Sequence, residues 1–311
     1  MSERVPRTGW KTRLIHSDVR VSTAFRSLAT PVLRGSTVVF DRLADARDDW
    51  TADNGYTYGL YGTPTTRELA GRIAELEGAH QTFVVPGGQA AIALIFLAHC
   101  RAGSHVLVPD SAYRPAAQLA SGLLAKLGVD VETYPAMVGV GINRLIRPET
   151  ALLWCESPGS ITMEVQDVPA LVEAAHRRGV SVALDNTYAA GVLFDAFAHG
   201  VDISMQALTK YVGGHSDILL GTVSVRDEAH RIAIGEMHRL LGLAVSPDDC
   251  SLALRGLQTL GLRLERLERT TLAVARWLAK RPEVESVLHP ALPGSPGHEL
   301  WCRDFDGSSS V

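Results

Sequence analysis

Cysteine is scarce in this chain: Cys100, Cys155, Cys250 and Cys302 are widely spaced and form no Cys-x-x-Cys pair. That argues against a disulfide-stapled scaffold or a thiolate zinc site, and a reducing, cytoplasmic setting is expected. The eleven histidines show no His-x-x-x-His spacing, so no metal site is expected. Neither Ser157 nor Ser160 sits in a Gly-x-Ser-x-Gly elbow, which argues against serine hydrolysis. Long apolar runs are missing too. The longest, Ala90 to Ala98, is too short to span a bilayer, and Met1 to Arg7 lacks the apolar core of a secretory signal. Basic excess is also lacking: the net charge is −4 with no evident basic patch, so nucleic acid is not an expected partner. No internal repeat occurs, and the only low-complexity tract is the short Gly307 to Ser310.

What is present is apolar and α/β in rhythm. With 311 residues, 46% of them apolar, the chain can bury one large core and begin a second. Residues 61–246 alternate short β-rich runs with helical patterns, the mark of a mostly parallel sheet of about seven strands flanked by helices. Gln81 to Val85, His105 to Val108, Ala151 to Cys155 and Val180 to Leu184 read as strands. Gln89 to Cys100 and Tyr113 to Leu127 read as helices, and another starts at Asp167, a good N-cap followed by Pro169. Residues 1–60 are irregular and read as an N-terminal arm. From Pro247 the leucines Leu252, Leu254, Leu257, Leu260, Leu264, Leu267 and Leu272 predict one amphipathic linking helix, and 247–311 ends in what looks like an unfinished small domain.

Four segments carry chemistry. Val182-Ala183-Leu184 delivers Asp185 to a strand end, and Gln206-Ala207-Leu208-Thr209 delivers Lys210 after the next strand. In open sheets of this kind, ligands gather at the carboxyl ends of the strands. A lysine there can form a Schiff base with the aldehyde of pyridoxal 5′-phosphate (PLP), and a buried aspartate can keep the pyridine nitrogen protonated. The plainer alternatives are a strand-end lysine and an Asp-Asn-Thr turn. Pro86-Gly87-Gly88-Gln89 precedes a helix whose first amides, at Gly88 and Gln89, could hold a phosphate. Thr209 offers that phosphate a hydroxyl. Tyr113, after the His105 to Val108 strand, offers a flat ring for stacking on the pyridine face, or else a core aromatic.

These segments, in this order, together with Glu156-Ser157-Pro158-Gly159-Ser160-Ile161-Thr162-Met163-Glu164-Val165, resemble the PLP-dependent enzymes of cysteine and methionine metabolism. The likeness is to their cystathionine β-lyase branch and runs from about Thr12 to the end. It implies the aspartate aminotransferase-like fold of type I, with Lys210 and Tyr113 catalytic. The cofactor-binding set becomes Lys210, Asp185, Gly88, Gln89, Tyr113, Thr209 and Tyr58. Tyr58 resembles the tyrosine that crosses a dimer interface to the neighbour's phosphate, with Tyr56 as the competing register, and a homotetramer built as a dimer of dimers is implied. The substrate implied is a small sulfur amino acid, L-cystathionine, cleaved by β-elimination to homocysteine, pyruvate and ammonia on the way to methionine. Gly159-Ser160 stands where γ-enzymes carry a Thr-Asn pattern, which favours β-elimination over γ-elimination or γ-replacement. Two departures stand out. Leu60 replaces the arginine expected two residues after Tyr58, and the arginine that grips the substrate's α-carboxylate is expected beyond Val311. The chain therefore reads as truncated, and a PLP-binding relic without catalysis is the remaining alternative.

Overall fold

The computed structural model describes residues 29–46, 50–51 and 55–309. The chain divides into two units, Met1–Pro31 and Val32–Val311, and every element described belongs to the second. Most of the arm expected in the first sixty residues lies outside the described residues.

Helix α1 (Pro64–Glu77) is bounded by local chemistry: Thr63 caps it by accepting from Thr66 N, Pro64 opens it, and Gly78 closes it at φ 68°. Strand β1 (Gln81–Val85) and helix α2 (Gly88–His99) follow, then β2 (His105–Pro109). Helix α3 (Arg114–Leu119) runs on through a wider turn at Ala120–Leu124 rather than as the regular helix expected to Leu127. Strands β3 (Asp130–Tyr134) and β4 (Thr150–Glu156) precede α4 (Val168–His176), which Asp167 caps by accepting from Ala170 N, as the sequence predicts. Strands β5 (Ser181–Asp185), β6 (Ile203–Gln206) and β7 (Gly221–Val225) complete the sheet. Helix α5 (Glu228–Leu241) follows.

Seven strands lie in the order β1-β7-β6-β5-β4-β2-β3. All pairings from β6 to β3 are parallel, and β7 alone runs antiparallel to its neighbours β1 and β6. The expected mostly parallel α/β sheet is therefore present. Its faces separate by the two-residue side-chain period. Leu152, Trp154, Ala183, Ile203, Met205 and Val223 pack with α2 residues such as Leu94 and Ile95. Leu153, Cys155, Val182 and Leu184 pack with Leu171, Val172 and Ala175 of α4 on the other face. Burial also lifts the thiol of Cys155 to about 12, so it stays a neutral packing group. Among the described residues no helix is long and apolar enough to cross a membrane.

The single helix expected after Pro247 is instead two, α6 (Pro247–Leu257) and α7 (Leu260–Leu278). The break serves two different contacts: Ala253 and Leu254 pack with Leu69 and Ile73 of α1, whereas Leu260 and Leu264 pack on Ala190. Gly256 permits it, since a Cβ there would lie 2.0 Å from Val212 O. Thr259 then restarts the helix, its hydroxyl donating to Gly256 O at 3.2 Å and accepting from Arg263 Nε at 3.0 Å. Short helix α8 (His298–Asp304) ends the described fold.

A polar patch interrupts the core where α1 meets β6 and β7. The amide of Gln206 donates to the buried carboxyl of Glu77, and Thr82 pairs with Ser224 at 2.8 Å. Burial pushes the Glu77 carboxyl up from 4.5 to about 7, with Gln206 pulling the other way. Because the folded form holds its proton to higher pH than the unfolded chain, stability is full below pH 4.5 and is lost as pH rises through about 7. At about 1.4 kcal/mol per pH unit the loss is about 3 kcal/mol. Glu77→Gln keeps an acceptor for Gln206 and removes that loss. Thermal unfolding at pH 5 and pH 8 is expected to show a smaller pH penalty for the variant than for the wild type.

Candidate active site

The carboxyl ends of β4, β5 and β6 gather the site. Asp185 closes β5 opposite Met205 of β6 and is only 8% exposed. Its carboxylate accepts from Thr187 N at 3.0 Å, and Thr187 in turn accepts from Ala207 N at 2.9 Å through its hydroxyl. One hydrogen-bonded relay thus joins the aspartate's turn to the segment that carries Lys210. Burial pushes the Asp185 carboxyl up from 3.8 to about 6, against the pull of Thr187.

The Lys210 side chain is exposed, but its backbone is held tightly. Lys210 N donates to Ala207 O at 3.0 Å and Lys210 O accepts from Gly214 N at 2.8 Å. Arg263 of α7 grips the same loop: its guanidinium donates to Tyr211 O, to Val212 O at 3.3 Å and to Gly256 O at 2.8 Å. Nothing in the local sequence announces Arg263, which lies 52 positions from Tyr211. His215 donates locally from its ring Nδ1 to Gly213 O, 2.7 Å away.

A tight turn places the start of α2 against that loop. Gly87 adopts φ 127°, and a Cβ on Gly88 would lie 2.9 Å from Ala207 Cβ. Gly221 of β7 is equally constrained, since a Cβ there would fall 2.5 Å from Gly87 O. The first amides of α2 therefore lie beside Ala207, at a helix start of the kind that takes a phosphate. The Gln89 side chain ties this turn to α3 by donating to Pro115 O at 3.2 Å. Thr209 also borders the loop, but its hydroxyl donates to Leu220 O at 3.1 Å and accepts from Leu220 N at 3.2 Å. To donate to a ligand it has to give up the bond to Leu220 O.

Tyr113 stands at the head of α3, 44% exposed, with its own N–H donating to Glu156 Oε2 at 2.7 Å. Glu156 ends β4 directly beside Asp185. The loop after it folds back on β2: Ser160 N donates to Ser111 O at 2.9 Å and Gly159 N to Glu164 O at 2.9 Å. Gln166 locks the loop, accepting from Glu156 N at 2.9 Å and donating to Ser157 Oγ at 3.1 Å and to Tyr134 Oη at 3.1 Å. Glycine is required at 159, where a Cβ would lie 2.6 Å from Ser111 Cβ and 2.7 Å from Ser111 Oγ. Gly159→Ala is expected to cost about 1–3 kcal/mol by overpacking. Ser111→Gly in the same chain removes both clashing atoms and is expected to restore most of the loss in thermal unfolding.

Lys210, Thr209, Asp185, Gly88, Gln89 and Tyr113 are thus brought together by contacts among their own segments. Tyr58 stands apart: its segment bridges to Thr37, its ring is 49% exposed, and it meets Tyr61 edge-on at 6.2 Å. Among the described residues none of the contacts joining the other six reaches it.

Residues 11–311 match the family described as Cys/Met metabolism PLP-dependent enzyme. The chain belongs to this family. A relative from Rhizobium johnstonii named putative cystathionine beta-lyase is 47% identical over 303 residues, 97% of this chain and 76% of the relative. Cystathionine beta-lyase of Escherichia coli is 40% identical over 305 residues, 96% of this chain and 77% of that protein. The solved structure of cystathionine gamma synthase from Xanthomonas oryzae superposes with a TM-score of 0.86 at 29% identity, covering 93% of this chain and 73% of that one. The family's PLP dependence fits the site on its own geometry. Close-packed glycines set the start of α2 beside Ala207, a buried carboxyl stands at a strand end, and a lysine follows on the adjoining loop.

Proposed function

We infer that this enzyme is a PLP-dependent carbon-sulfur lyase that cleaves L-cystathionine by β-elimination. One cystathionine and one water yield homocysteine, pyruvate and ammonia, a step toward methionine. The observation that carries the β-reading is the fit of Gly159 against Ser111, which leaves no side-chain room where γ-enzymes carry a Thr-Asn pattern. The relatives at 40% and 47% identity named cystathionine beta-lyase support it.

PLP, when bound, supplies an aldehyde that captures an amine and a ring that accepts the electron pair released at Cα. The residues of this chain do the rest. Lys210 would hold the aldehyde, and its Nζ, once free, would take the Cα proton. Asp185 holds a proton at the ring nitrogen, shielded from water, where a charge-assisted hydrogen bond is strong. Tyr113 would cover one face of the ring, and either it or Lys210 would protonate the sulfur that leaves Cβ. The amides of Gly88 and Gln89 hold the phosphate, Thr209 adds its hydroxyl, and Leu60 leaves this site without the arginine its relatives' pattern supplies.

Tyr58 serves a neighbouring subunit's phosphate in a homotetramer built from dimers, a role its half-exposed ring suits. Free Cys100, Cys155, Cys250 and Cys302 suit a cytoplasmic enzyme. The test is the product released from L-cystathionine by purified, PLP-loaded protein. Pyruvate supports this reading, α-ketobutyrate assigns γ-elimination, and a yellow protein that releases neither leaves a cofactor-binding relic.

A further inference from the structure

Glu156 is a buried acid that the reaction outlined above does not use. It is 3% exposed and ends an apolar strand in which Leu152, Leu153, Trp154 and Cys155 are fully buried. An acid in such a place is rare unless something satisfies it. Two neighbours do. Its Oε2 accepts the Tyr113 N–H at 2.7 Å, and in the β4–β5 register its partner is Asp185, so two carboxyls stand side by side on adjacent strands. Its own position is rigid, because Gln166 holds its N–H and is itself held by Tyr134, whose hydroxyl donates to Trp154 O at 2.7 Å.

We propose that Glu156 is a positioning residue for the cofactor: it fixes the backbone of Tyr113, and so the stacking ring, while sharing a single negative charge with Asp185. The inference rests on the PLP reading of the site. Two carboxylates buried side by side cannot both stay ionised. Burial, and then Asp185, push Glu156 well above the usual carboxylate range, and burial pushes Asp185 up to about 6, so the pair holds one proton between its two carboxyls. With that proton on Glu156 the charge lies on Asp185, which is the arrangement a protonated ring nitrogen requires. The other titratable group on this pair is Tyr188, whose phenol is raised by burial, then by Tyr211, and then by Glu156 and Asp185. That phenol stays neutral and leaves the charge on the pair at one.

Glu156→Gln and Glu156→Leu separate the two halves of the role. Glutamine keeps a carbonyl acceptor for Tyr113 N and mimics the neutral acid; leucine fills the space and accepts nothing. The readouts are PLP affinity of the apoprotein by fluorescence quenching and the visible circular dichroism of the bound cofactor, which reports how the ring is held. Glu156→Gln is expected to keep both near wild type. Glu156→Leu is expected to bind PLP roughly tenfold or more weakly, the scale of one lost hydrogen bond to a charged or buried group, and to lose much of the visible signal. Should the leucine variant not fold, Glu156→Asp, one methylene shorter, is expected to show the same two losses. Wild-type affinity and signal in every variant, or equal losses in Gln and Leu, overturn the proposal alone. A wild type that takes up no PLP overturns the underlying reading, and the proposal with it.

Discussion

Lys210→Ala is expected to abolish turnover of L-cystathionine while leaving the fold intact. The side chain is exposed at its loop, so its removal opens no cavity in the core, and the loop is held by backbone bonds to Ala207, Gly214 and Arg263 that alanine retains. The loss falls on chemistry instead. In the proposed mechanism the amine serves both as the covalent anchor and as the base at Cα, and a positioned proton-transfer group alone contributes roughly 10²–10⁴-fold. A fall in kcat of about 10³-fold or more is therefore expected, with PLP still bound non-covalently. Borohydride reduction followed by peptide mapping checks it: the wild type carries the label on Lys210 and the variant carries none. A label on any other lysine of the wild type refutes the assignment.

Asp185→Asn is expected to move activity and stability in opposite directions. Asparagine matches the shape but cannot hold the ring nitrogen protonated, and loss of one preorganised electrostatic group in a shielded site costs roughly 10²–10³-fold in kcat. The folded protein without cofactor gains. The aspartate's ordinary value of 3.8 is raised to about 6 by burial, so its stabilising contribution is full below pH 3.8 and is lost as pH rises through 6. At about 1.4 kcal/mol per pH unit that loss is about 3 kcal/mol. Asparagine does not incur it. The cofactor-free variant is expected to unfold at a higher temperature than the cofactor-free wild type at pH 8, with the advantage vanishing toward pH 4. A variant less stable at pH 8 would show that the carboxylate is not strained by burial. Such an exchange of stability for function is common where a site must hold an unwelcome charge.

Lys210, Asp185, Gly88 and Tyr113 were legible because each sits at a strand end or helix start, positions that periodicity and turn chemistry mark in one dimension. The α/β alternation was legible for the same reason. The division of the last long helix was not: Gly256 and Thr259 look like tolerable interior residues, and only the packing against Val212 O, which a Cβ at 256 would meet at 2.0 Å, shows why a glycine stands there. Glu156 and Gln166 were visible merely as parts of a motif, since their value depends on strand register, which pairs Glu156 with Asp185 across 29 positions of sequence. Ser111 is silent in the sequence for a similar reason. Its importance lies in the space it takes from Gly159, in a loop nearly fifty residues away.

The grip of Arg263 has a mechanical consequence. Through one guanidinium, helix α7 and the backbone that follows Lys210 become a single lever, because the arginine fastens to Tyr211 and Val212 while its own helix starts at Leu260. Any tilt of that helix is transmitted to the backbone that carries Lys210. Substitutions along α7, remote from every ligand-facing atom, would thus register first as a change in how the prosthetic group is tethered.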